Sequence, residues 1–81
     1  MIFKATPTVR YYEPDSTKPI DGITPTQRGH EITLRFLQPR TVVSAGNIEL
    51  SGRLSAAIGA GDILCLVFDG EKWHETSRVV K

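Results

Sequence analysis

From Ile63 to Phe68 six consecutive apolar residues run straight into Asp69-Gly70, and few folds accept that arrangement. Six residues are too short for a core helix and suit a strand. Alternate side chains put Ile63, Cys65 and Val67 on one face and Leu64, Leu66 and Phe68 on the other, which predicts a central strand covered on both sides. Asp-Gly supplies the positive φ of a two-residue hairpin, with Lys72 to Glu75 as the returning strand. In this setting Cys65 reads as a small buried hydrophobe with an inert thiol, since a reactive one needs exposure and a nearby cation.

The rest of the chain follows the same two-residue period. Glu31 to Phe36 alternates, sending Ile32, Leu34 and Phe36 to a buried face and Glu31, Thr33 and Arg35 outward. Shorter strands are expected at Thr8–Tyr12, Thr41–Val43 and Ile48–Leu50, between turn signals at Pro39, Ala45-Gly46-Asn47 and Ser51-Gly52. Arg53 to Ile58 reads as loop or a single turn, because Gly59 and Gly61 leave a helix no room to extend. The expected fold is all-β: a small antiparallel or sandwich-like sheet, or the end of a β-solenoid. Residues 1–28 carry Pro7, Pro14, Pro19 and Pro25 among polar residues and read as an extended arm or edge strands, since proline gives no N–H to a ladder. Residues 29–81 form the β core ending in the hairpin.

Eighty-one residues make one domain with a modest core, and the single cysteine excludes an internal disulfide. Oligomerisation or a metal are the remaining routes to extra stability. Ten Lys and Arg against nine Asp and Glu give a net charge of +1 with no basic stripe, which argues against nucleic-acid binding. No apolar run is long enough for a membrane span, and the start has no signal-peptide pattern, so the chain reads as made in the cytoplasm without a leader.

Gly29-His30-Glu31-Ile32-Thr33-Leu34-Arg35-Phe36, then Gly46-Asn47-Ile48-Glu49-Leu50, then Asp62 to Gly70 followed by Trp73, Glu75 and Ser77-Arg78, stand in an order that resembles the end segment of pectate-lyase-like right-handed β-helix proteins, bacteriophage tailspikes among them. The resemblance covers Ile23 to Arg78, and order and spacing carry it. It implies a non-catalytic module that caps a parent β-helix domain at its distal end, assembles as a homotrimer, and works in a virion tail, or outside the cell if bacterial, near a host-surface glycan. The long coil array with its glycan groove is missing from this chain. The residues expected to build the core and the assembly are Ile32, Leu34, Phe36, Ile48, Leu50, Leu64, Leu66, Phe68 and Trp73.

Catalytic readings are weaker than structural ones, and no cofactor or metal is expected. His30 and His74 lie in no ligand spacing, no Gly-x-Ser-x-Gly elbow presents a serine, and Gly59-Ala60-Gly61 lacks the lysine and helix start of a phosphate loop. Asp62 opens a strand and Asp69 makes a turn, although with Glu71 and Glu75 they raise the question of a carboxylate pair. Trp73 has two readings. As an interior aromatic it shares a strand face with Glu75, placing Glu75 at the core rim within reach of Arg78. As a sugar-stacking platform it would join Tyr11, Tyr12 and Arg78 in a small carbohydrate-binding module.

Overall fold

The Ile63–Phe68 run is the middle strand of a five-stranded sheet, in a computed structural model that describes all 81 residues. The strands are β1 (Ile2–Phe3), β2 (Tyr11–Tyr12), β3 (Gly22–Ile23), β4 (Glu31–Arg35), β5 (Arg40–Val42), β6 (Ile48–Glu49), β7 (Ala56–Ile58), β8 (Ile63–Phe68) and β9 (Trp73–Val79). The large sheet has the order β2-β4-β8-β9-β6. β8 is antiparallel to β4 and β9, while the short flanking strands pair in parallel, β2 on β4 and β6 on β9. A second layer holds β1 parallel to β3 and β5 antiparallel to β7. Its halves are joined by a parallel bridge between Ile20 and Val42, with Ile20 N donating to Thr41 O at 2.9 Å and Val43 N to Ile20 O at 2.8 Å. The chain is all-β with no α-helix.

Parallel strands need a crossover, usually a helix. For β1–β3 and β2–β4 the crossover is a strand of the other layer, because the chain alternates between layers at every step from β1 to β8. The result is a winding. Ile2 pairs with Gly22 and Phe3 with Ile23, 20 positions apart. Tyr11 pairs with Thr33, Tyr12 with Leu34 and Ile20 with Val42, 22 positions apart. A shift of that size repeated in both layers is the arrangement of stacked solenoid coils. It stops where β7 and β8 add antiparallel to β5 and β4.

One core of 15 buried residues lies between the layers. Ile32, Leu34, Leu64, Leu66, Phe68 and Trp73 enter from the large sheet and Ile20, Ile23, Val42, Ala56 and Ile58 from the second layer. The accessible surface is 4718 Å², against about 4,850 Å² for an ordinary monomer of this mass. The 15-residue core is buried within a single chain.

Several expectations need correction. The outward face of β8 is uncovered, so Ile63, Cys65 and Val67 are half-buried and the thiol of Cys65 lies 3.7 Å from Thr33 Oγ1. The hairpin loop holds four residues, Asp69 to Lys72, because the Asp69 carboxylate accepts the N–H groups of Glu71 and Lys72 and Asp69 N donates to Lys72 O; Gly70 sits at φ 103°. Its returning strand runs on to Val79, with a bulge between Glu75 and Ser77 opposite Leu66 and Cys65; before it, Trp73 and Glu75 face inward as expected. Arg53–Ile58 contains a strand, β7, after a 3-10 turn at Ser51–Arg53. Residues 1–28, read as an extended arm or edge strands, hold β1 and β2 at the sheet edges, and they also contribute β3 and the core residues Ala5, Ile20 and Ile23.

Candidate interaction surface

The winding has two unlike ends. At one end lie β1 and β2, the edge strands of the two layers, each with a single neighbour. They face each other through the rings of Phe3 and Tyr12, edge to face with centroids 5.1 Å apart, both half-buried against the core. The turn joining them is tied down by Val9 N donating to Thr6 O, by the Tyr12 hydroxyl, 3.1 Å from Val9 O and accepting from Thr6 N at 2.8 Å, and by buried His30, whose Nε2 lies 3.0 Å from Val9 O. His30 Nδ1 faces the Thr26 hydroxyl at 2.7 Å, so both ring nitrogens have structural partners. Outward from this frame stand Ile2, 66 % exposed, and Tyr11, 53 % exposed, with Met1 and Val9 beside them. These four are half of the eight large apolar side chains the molecule exposes.

The other end also stops on edge strands, β6 and β7, each with a single neighbour, but on the large-sheet side it is polar. In the large sheet the β8–β9 hairpin is inserted between β4 and β6. On β6, Glu49 lies 3.8 Å from Lys72 Nζ and 3.5 Å from His74 Nδ1, while His74 Nε2 is 2.6 Å from the Asp69 carboxylate. Hydrogen bonds from the Lys72 and Glu71 amides, and then from His74, hold the Asp69 carboxyl far below the usual carboxylate range. His74 is thus held at both ring nitrogens, and no three His, Cys, Asp or Glu side chains are grouped to hold a metal ion. The only cavity, lined by Arg28, Asp69, Gly70 and Glu71, is an open polar depression beside this turn.

The nine residues expected to build the core and the assembly are all buried inside one chain, none more than 3 % exposed, so a contact between chains has to use other side chains. Trp73 is fully buried, stacked against Phe68 at 4.9 Å and meeting His30 at 5.7 Å, with its Nε1–H lacking an acceptor. It offers no face to a sugar. Tyr12 points inward, and Arg78 makes a two-pronged bond to Glu75, with both contacts at 2.8 Å. Glu75 is only 4 % exposed at its side chain and also accepts Ser51 N at 2.9 Å. Tyr11 and Arg78 are the exposed members of the proposed sugar-binding set, but they stand apart, with Thr33 of β4 and Cys65 of β8 lying between Tyr11 and β9. Asp62 is likewise occupied: its carboxylate accepts the amides of Lys81 and Gly59, which lower its pKa.

Sequence reasoning missed Arg40 and Asn47. Arg40 is 5 % exposed, has no carboxylate partner, and donates from Nε to Lys18 O at 2.9 Å; loss of water lowers its pKa. The side-chain amide of Asn47 pairs with the backbone of Ile23 as a strand residue would, accepting Ile23 N at 3.0 Å and donating to Ile23 O at 2.5 Å. Its place in the Gly46-Asn47 turn hid a bond to a residue 24 positions away. Comparison with family models, curated proteins and solved structures returns no match to this chain.

Proposed function

We propose that the chain is a non-catalytic structural module of the tailspike type, which closes the distal end of a β-helix and assembles as a homotrimer. The observation that carries the reading is the 20- to 22-residue shift between parallel partners in both layers, ended by antiparallel strands. A solenoid needs such an ending, because its last rung otherwise leaves apolar surface and unpaired backbone exposed. Antiparallel β7 and β8 break the stacking direction, and charged groups on β6 and the hairpin cover the final edge. The surface open to neighbouring copies is the uncovered face of the large sheet, where half-buried Ile63, Cys65 and Val67 lie beside exposed Val79.

Light scattering across a dilution series, with thermal unfolding followed at each concentration, tests the assembly. The expected result is a trimer mass and a melting temperature that rises with concentration. A folded monomer at every concentration, melting at one temperature, overturns the trimer.

A further inference from the structure

We infer that the β1–β2 end is a docking surface whose occupant is the terminal coil of a parallel β-helix, its two strands adding to β1 and β2 in the direction those strands already run. This rests on the end-closing role proposed above and adds the place and the sense of the contact. Both layers stop at this end on an edge strand with unpaired backbone groups, and the two edges face each other across the Phe3 and Tyr12 rings. A coil stacked one strand spacing away, about 4.8 Å, would stand to β1 and β2 as they stand to β3 and β4. It would complete two ladders at once and cover Ile2 and Tyr11.

Area supports the same occupant. A molecule measuring 28 × 25 × 22 Å presents an end face on the order of 500 Å², so docking buries on the order of 1,000 Å² in total, enough for a specific contact. A second copy meeting this end about a two-fold axis would bring β1 and β2 against their own copies antiparallel. That direction is the one this fold uses to stop the winding.

The probe is a pectate-lyase-like β-helix domain cut back so that its last coil is bare, mixed with the full chain and followed by size-exclusion chromatography with light scattering. The unmodified chain is expected to co-elute one to one and to suppress aggregation of the bare coil. An Ile2→Lys, Tyr11→Lys double variant places charges on both edges at exposed positions, and its fold is checked by circular dichroism and melting temperature. It is expected to dock roughly tenfold or more weakly. Leu54→Lys, at a 74 % exposed position after the 3-10 turn, is expected to dock like the parent.

Docking undiminished in the double variant, or equally lost in Leu54→Lys, overturns this surface while leaving the end-closing role intact. Failure of the unmodified chain to dock sinks both. A free chain that forms an end-to-end dimer dispersed by the double variant makes a second copy the occupant and also overturns the inference.

Discussion

At the scale of single residues, the most consequential side chain outside the apolar core is Glu75. Its carboxylate is nearly excluded from water and takes two contacts from Arg78 and one from the Ser51 amide, tying β9 to the 3-10 turn. Glu75→Ala leaves the amide and guanidinium without that acceptor, and urea unfolding is expected to show a loss of about 2–3 kcal/mol, near the lower end for buried pairs because Arg78 is partly hydrated. Asp69 is a different case, since it is solvated and acts through pH. Its pKa is depressed in the folded state, so its stabilisation is complete above the unfolded-state value near 3.8 and is lost as pH falls toward the folded value. Asp62 has the same sign. Stability is therefore expected to hold from neutral pH down to about 5 and to fall below about 4. In Asp69→Asn, urea midpoints measured across that range should be lower at neutral pH and decline less steeply in acid.

At the scale of elements, Asn47 does the work of a strand that the chain does not have. Asn47→Ala strands the N–H and C=O of Ile23, a residue 1 % exposed, and an unfolding-free-energy loss of about 2–3 kcal/mol is expected by chemical denaturation. The same element shows why parts of the fold were legible and others were not. β4 and β8 have five and six residues, enough for alternation to reveal them, and the Glu75–Arg78 contact followed once Trp73 was placed inward. β1 and β3 have two residues each, too few for any period to register, whereas β2 and β6, equally short, fall inside the strands expected at Thr8–Tyr12 and Ile48–Leu50 because turn signals bound those segments. What fixes them is pairing 20 or more positions away, which local propensity does not encode. The outer side of β8 misled for a related reason: an apolar run states what a strand tolerates on its two faces, not whether a second layer covers both. Trp73 had two readings because an aromatic near a hairpin suits a core and a sugar platform equally well until its strand face is assigned.

At the scale of the whole molecule, the proline-rich third is what gives the winding its first coil. Ile20 is fully buried, bridges to Val42, and lies between prolines, polar residues and a turn-prone glycine that by composition suggest a surface segment. Ile20→Ala is expected to cost about 2–4 kcal/mol, a large share of the roughly 4–12 kcal/mol total stability of a domain this size. Removing residues 1–28 deletes three strands together with Ala5, Ile20 and Ile23, and bares the inward faces of β4 and β5. Circular dichroism and urea titration of that truncated chain are expected to show no cooperative unfolding, whereas a stable 29–81 fragment would mean that the hairpin half folds alone and that the first coil is an accessory. The distinction bears on the proposed role, because an end module built as part of the winding transmits its own stability to the coil beneath it, as neighbouring repeats of a solenoid do. An accessory coil, free to detach from β4 and β5, would leave the β-helix edge of the proposed role only loosely protected.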